Sequence, residues 1–441
     1  MSSNRSPTSQ PWYRKRTQGG APRQVEEPIT VSPPPPLGDV IRTLQVSDLA
    51  GRAREFAGSA KILHARTVTS YNWVDNKASE STIMIPGKPP LWTPQTVPSR
   101  LKEDSGSYFR DRNAARYPKH PMEPTVVASL DSDPTIPSEV DFVACGNTLR
   151  NLLRFIRGED KSFRILAYKV RETVFLVRRE NSPTELIPGV RGFGHAFPEA
   201  NTTWEPEVKG SSSHERVVRY SFGGMELLVR FGADGYMKEN RPALENTSVE
   251  KPPFADVETL ATSFFSNTIS PSPASPSPNA ALKITSTTRP IIPQSSIFDL
   301  KTRSIYTRSK RDHLAEVLPR LWVTQIPTSI LAFHTQGLFV QQDIEIRDVR
   351  EEVKEWEEEH SAKLAKLAAL LSWIKELLES SEVGGKVEIC YRGQGAGGLE
   401  VRRQLADVGE VLSADVRKRW EQRVVVSSKK KEGFAEEGAK N

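Results

Sequence analysis

The alternation of apolar and polar positions divides the chain into a strand-rich body, two stretches with no core pattern, and a more helical C-terminal third. Residues 67–73 and Thr82–Ile85 read as short strands, closed by a Pro-Gly turn over 86–90. Phe142, Cys145, Leu149, Leu152, Leu153 and Ile156 recur at helical spacing behind Ser138, a good N-cap, and Gly158 is a stop signal. They predict one helix over 139–157, with Cys145 facing the core. Strands over 163–170 and 173–177 follow. Residues 216–222 and 225–231 flank Gly223-Gly224 as a hairpin, and its second strand runs on to Asp234. Ile297, Phe298 and Leu300 make 296–304 apolar enough for a strand. A helical region from 314 to 322 precedes two more strands, 329–333 and 338–346. Val349, Val353, Trp356, Leu364, Leu367, Leu371, Ile374 and Leu378 form one stripe, predicting a single amphipathic helix over 349–378. That helix would cover a core or serve as a coiled-coil arm. Residues 387–391 read as a strand and 399–422 as a helix.

These elements define an α+β protein with a mixed central β-sheet flanked by helices. Residues 1–55 are rich in Pro, Ser and Arg and are expected to form a disordered arm. The Ser-Pro repeat over 270–278 marks 252–293 as a disordered insertion, because such a composition cannot build a core. Loop-closure entropy grows slowly with length, so a folded body can tolerate it. The body would then comprise 56–251 and 294–425, with a charged tail over 426–441.

Composition narrows the class. The 441 residues are 37% hydrophobic with 33 prolines, so part of the chain is expected to stay unpacked. A net charge of +6 permits a polyanionic partner without requiring one. Cys145 and Cys390 are the only cysteines, which excludes a disulfide framework and a cysteine-rich zinc site. No apolar run reaches the roughly 18 residues of a membrane span, and the N-terminus lacks a signal-peptide core. The expectation is an intracellular protein, nuclear or cytoplasmic, with no membrane association.

Several residues carry candidate chemistry. Asp299 and Lys301 lie two apart on a strand and so share a face. A carboxylate that holds a hard cation beside an ammonium that meets a phosphate suits metal-assisted phosphate chemistry; an ordinary solvated strand face offers the same triplet. Asp234 ends a buried-looking strand, as a catalytic acid or as part of an Asp-Gly turn. Arg178 and Arg179 could grip phosphate or simply end a strand in solvent. The aromatics and arginines of 108–117 read as a nucleic-acid surface or as a loop with its rings tucked inward. Gly393-Gln394-Gly395-Ala396-Gly397-Gly398 matches G-x-G-x-x-G, a dinucleotide fingerprint or a flexible loop.

Glu199, Asp234, Asp299 and Lys301 follow the order of the PD-(D/E)XK nuclease core. Phe298-Asp299-Leu300-Lys301-Thr302 resembles the Glu-Leu-Lys-Thr motif of DXO-type decapping exonucleases. Arg320-Leu321-Trp322-Val323-Thr324-Gln325 resembles their Trp-x-Gln helix. Gly194-His195-Ala196-Phe197-Pro198-Glu199 is similar to their Gly-Tyr-Lys-Phe-Glu with one extra residue. Gly232-Ala233-Asp234 stands where they have Glu-x-Asp. Over 60–425 the chain also resembles an uncharacterised fungal family, some of whose members carry a geranylgeranyl pyrophosphate synthetase name. Prenyl synthases need Asp-Asp-x-x-Asp clusters on helices, and this sequence has no Asp-Asp pair.

The DXO resemblance implies a metal-dependent hydrolase of RNA 5′ ends. Glu199, Asp234 and Asp299 would hold Mg²⁺ or Mn²⁺, Lys301 would act on the attacking water or the phosphate, and Gln325 would support the substrate or Lys301. Gly232 replaces a metal-binding Glu, so metal binding is expected to be weakened. A non-catalytic RNA-end-binding or scaffold protein on the same fold is the alternative.

Overall fold

The computed structural model describes residues 32–75, 80–105, 107–187, 189–238 and 281–422. Among the described residues the largest sheet has eleven strands, and its middle is built from short apolar runs. Phe142–Cys145 lies at its heart, pairing in parallel with Thr173–Arg178 on one side and Met225–Gly232 on the other. Phe142 and Ala144 join one hydrophobic cluster while Val143 joins another, so this strand is buried on both faces. Antiparallel neighbours extend the sheet outward. Phe163–Val170, Lys386–Tyr391, Leu399–Arg403 and Val40–Leu44 continue one side; Ser211–Phe222, Ile62–Val74 and Thr82–Ile85 continue the other. The rim strand Lys283–Ser286 pairs in parallel with Thr82–Ile85.

Helices close both faces. Gly146–Arg157, His313–Thr324 and Ser361–Glu379 supply Leu149, Leu152, Leu321, Val323, Leu364 and Leu371 to one cluster. Glu123–Ser132 and Ala414–Glu421 supply Val126, Leu130, Val416 and Trp420 to the other. A seven-stranded sheet adjoins this body. Its central strand Ile297–Ser304 pairs in parallel with Thr328–Thr335 and antiparallel with Gly235–Tyr236. The mixed α+β class is thus as expected. No helix among the described residues is long and apolar enough to cross a membrane.

Three local expectations are corrected, and one open alternative is decided. The helix read over 139–157 begins only at Gly146. Residues 142–145 are apolar without a break, a pattern that fits a two-face-buried strand as well as a helical turn. The single helix over 349–378 is two, Arg350–Glu359 and Ser361–Glu379, broken at His360. The His360 ring stacks on Trp356, and its Nδ1 lies 2.9 Å from the Trp356 carbonyl. Within 399–422, Leu399–Arg403 is a strand with Leu399 and Val401 inward at a period of two, and only Ala414–Glu421 is helical. The G-x-G-x-x-G segment joins two antiparallel neighbours, Lys386–Tyr391 and Leu399–Arg403, so no βαβ unit follows it. Its Gly393, Gly397 and Gly398 have φ of 100°, 83° and 120°, which a turn demands and side chains resist.

Parts of two stretches expected to be disordered are ordered. Val40–Leu44 pairs with Leu399–Arg403, so order starts well before residue 56. Arg164 fixes the carbonyls of Pro35 and Pro36, giving the proline run a partner. Residues 281–293 are ordered too: Lys283–Ser286 joins the sheet, and the Ile292 carbonyl accepts a bond from buried Arg216 at 2.8 Å. Residues 1–31, 252–280 and the tail over 426–441 lie outside the described residues.

Candidate functional site

Asp234 and Asp299 reach the same point from different sheets. Met225–Gly232 ends in the large sheet, and two residues later Gly235–Tyr236 belongs to the small one, so Asp234 sits at the crossing. Pairing of Gly235 with Phe298 brings Asp234 beside the strand that carries Asp299. Asp234 Oδ2 accepts a hydrogen bond from the Leu300 backbone N–H at 2.7 Å. Within Ile297–Ser304 the strand period separates two faces. Phe298 and Leu300 enter the small-sheet core, while Ile297, Asp299 and Lys301 share the other face.

The two acids are deeply buried, Asp299 at 0% exposure and Asp234 at 2%. Arg320, from the helix His313–Thr324, stands between them. Its Nη2 lies 2.6 Å from Asp299 Oδ1 and 3.9 Å from Asp234 Oδ2. Lys301 Nζ lies 3.5 Å from Asp299 Oδ2. Neither Asp299 oxygen has a donor in hydrogen-bond alignment, so these contacts supply charge without filling its lone pairs. Burial, helped by Arg320, lowers the Lys301 ammonium to about 8, although Asp299 and Asp234 pull it up.

A cleft open to solvent lies beside this cluster and shares Arg320 with it. Six arginines line it, Arg110, Arg112, Arg150, Arg178, Arg230 and Arg320, against two acids, Asp111 and Glu215. Gly146 and Asn147 add the N-terminus of a twelve-residue helix, whose free N–H groups favour anions. Burial lowers Arg150 to about 9, with Arg154, Arg320 and Arg178 adding repulsion. Lys161 falls to about 8 from burial and from Arg154, Arg150 and Arg178. Such mutual repulsion is relieved when an anion enters.

The remaining candidates are placed as follows. Glu199 lies exposed on the short helix Ala196–Asn201. Among the described residues no group of three or more acid, His or Cys side chains is arranged to hold a metal ion, so the expected three-carboxylate set is not assembled. Gln325 caps its helix in a left-handed conformation, φ 53°, and its Nε2 donates to the Trp322 carbonyl at 2.6 Å. Arg178 lines the cleft and pairs with Glu180. Arg179 points to the opposite face, where it and Arg164 hold buried Glu388 at 2.7 and 2.5 Å. Arg179 thus has a buried carboxylate as its partner, whereas Arg178 lines the cleft. Gly232 lines the cleft with an ordinary strand backbone, directly across from Glu215. Cys145 also lines it, its Sγ 2.9 Å from Thr148 Oγ1. From 108–117 the cleft takes Arg110 and Arg112, whereas Tyr117 is buried and Tyr108 stacks on His195.

Sequence reading did not single out Arg320, Arg150 or Arg230. A signal existed: Arg150 and Arg154 are four apart and so share a face of a helix that also supplies Leu149, Leu152, Leu153 and Ile156 to the core.

The fold that carries Asp234, Asp299 and Lys301 has solved counterparts. The fold is similar to Scheffersomyces stipitis Rai1 in complex with (3′-NADP)⁺ and calcium ion, at 11% identity, 88% of this chain, 99% of that chain and a TM-score of 0.50. It is equally similar to S. stipitis Rai1 alone, at 11% identity, 86% and 97% coverage and a TM-score of 0.50. K. lactis Dxo1 in complex with manganese matches at 10% identity, 86% and 97% coverage and a TM-score of 0.41. The DXO-type resemblance read from the motifs thus holds at the level of fold. No curated protein sequence matches the chain. The family model described as Domain of unknown function (DUF8563) matches residues 53–395, and the chain belongs to that family.

Proposed function

We propose that this protein binds the phosphate-bearing 5′ ends of RNA in the arginine cleft and hydrolyses them slowly at the adjoining acid pair. The carrying observation is the cleft itself: six arginines and a helix N-terminus line one space, and one of those arginines, Arg320, also reaches Asp299 and Asp234. Guanidinium groups bind phosphate oxygens in pairs, and a 5′ terminus concentrates phosphate charge in one place. The fold neighbour from S. stipitis holds a phosphate-bearing dinucleotide and calcium, in keeping with this chemistry.

Asp234 and Asp299 suit a hard divalent cation, Mg²⁺ or Mn²⁺, because they are adjacent carboxylates and the Asp299 oxygens lack aligned donors. When bound, such an ion would polarise the phosphoryl group and acidify a water. Lys301 would stabilise charge on the phosphate from beside Asp299. Two carboxylates hold an ion less tightly than three, and Gly232 and outlying Glu199 leave only two, hence slow turnover. A second reading, binding without hydrolysis, is favoured by the contact of Arg320 with Asp299.

The test compares single-stranded RNA carrying a 5′-phosphate with the same RNA carrying a 5′-hydroxyl. The wild type should prefer the phosphate at least about tenfold, and Arg150→Ala should abolish the preference. Equal affinities would sink the proposal. Turnover with Mn²⁺ that is lost in Lys301→Ala selects hydrolysis; preference without turnover selects the second reading.

A further inference from the structure

We propose that Arg320 is a resident counter-cation of the acid pair, competing with divalent ions for Asp299 and releasing it when an anion fills the cleft. The inference rests on the phosphate-binding reading of the cleft and adds a coupling between its two halves. Arg320 both lines the cleft and contacts Asp299 and Asp234.

The formal charges balance without a metal. Asp234 and Asp299 contribute two negative charges, and Arg320 and Lys301 two positive ones. A divalent ion entering this set would lie against a guanidinium 2.6 Å from the same carboxylate oxygen, with Arg150 close enough to feel Asp299 and Arg320. Like charges so near in a buried site repel strongly, so the ion binds tightly only when Arg320 moves away. The cleft offers it a destination. A guanidinium has five donors, and one that leaves a carboxylate can take up a phosphate oxygen. An anion in the cleft therefore stabilises the arrangement in which the acids are open to the ion. By linkage the ion tightens anion binding by the same factor.

The primary test reads metal binding alone, with no RNA present. Mn²⁺ is titrated calorimetrically into wild type, Arg320→Ala and Arg320→Lys, with thermal melting in parallel. Arg320→Ala should bind Mn²⁺ at least about tenfold more tightly than wild type, and Arg320→Lys, which keeps the charge, should stay near wild type. A second titration adds a saturating 5′-phosphorylated oligoadenylate carrying a non-hydrolysable terminal linkage. It should tighten Mn²⁺ binding to wild type but not to Arg320→Ala. Should Arg320→Ala fail to fold, Arg320→Gln, which keeps donors without charge, is read in its place. Equal Mn²⁺ affinity in wild type and the folded uncharged variant overturns the competition. An oligonucleotide that binds without changing Mn²⁺ affinity overturns the coupling while leaving the phosphate-binding reading intact. An oligonucleotide that does not bind removes the phosphate-binding reading, and the competition is then judged on the first titration.

Discussion

The Asp234 carboxylate accepts the backbone N–H of Leu300 at 2.7 Å, across 66 residues of sequence. This bond clips the crossing point of the large sheet to the central strand of the small one. It also fixes the distance between Asp234 and Asp299, whose Cα atoms are otherwise set by different sheets.

Asp234→Ala should destabilise the protein by about 2–4 kcal/mol, because it strands a buried N–H and leaves Arg320 with one partner fewer. Asp234→Asn keeps an acceptor for Leu300 and should cost less. Urea unfolding of both variants is the check. Equal losses would mean that the charge matters and the bond does not.

Neighbouring Arg178 and Arg179 should behave in opposite ways. Arg178→Ala removes a cleft cation and should weaken binding of 5′-phosphorylated RNA several-fold with little change in melting temperature. Arg179→Ala leaves the cleft intact but deprives buried Glu388 of one of its two arginines. It should lower stability by about 2–3 kcal/mol and spare RNA affinity. Binding and melting curves on the same two preparations decide this.

Gly232→Glu should move metal and phosphate affinities in opposite directions. The position has an ordinary strand backbone, lines the cleft and faces Glu215 across the ladder. A carboxylate there adds a possible ligand near Asp234 and a negative charge among the arginines. Mn²⁺ affinity should rise and 5′-phosphate affinity fall, each by about tenfold. A fall in both would show that residue 232 does not reach the acid pair.

Stability should decline in mild acid through His214. Its ring is buried with Nδ1 2.7 Å from Asn72 Oδ1, its Nε2 has no partner, and burial with nearby Arg216 holds its pKa well below 6.5. The folded state thus favours the neutral ring. The unfolded chain takes up the proton first as pH falls below about 6.5, so stability is full above that pH and drops below it. The slope should approach 1.4 kcal/mol per pH unit for this one group between about pH 6.5 and 5. His214→Gln should flatten the curve in that window. An unchanged slope would assign the loss to other groups.

Much of this architecture was legible because its strands carry a clean period of two. Asp299 and Lys301 on one face, with Phe298 and Leu300 on the other, follow from sequence alone. The Met225–Gly232 hairpin strand and its run into Asp234 were equally plain. What escaped was of two kinds. Short elements such as Phe142–Cys145 and Leu399–Arg403 owe their form to flanking strands far away in sequence. Arg320 escaped because an arginine on a helix ordinarily reaches water. Only the crossing of two sheets places carboxylates under it, leaving its side chain 11% exposed. Glu199 shows the converse: its motif survives in order, but its short helix leaves the side chain in solvent.

From Tyr236 in the small sheet the chain goes to Lys283 at the rim of the large one and returns to the small sheet at Ile297. The two ends of this excursion are already joined without it: Tyr236 pairs with Ile297, and the Met237 N–H bonds the Ser296 carbonyl at 2.9 Å. Peptide continuity between 239 and 280 is therefore not what registers the sheets. The gene could be divided there, and two separately expressed halves should find each other and restore the folded body. The acid pair would then assemble between two polypeptides, one bringing Asp234 and the other Asp299, Lys301 and Arg320.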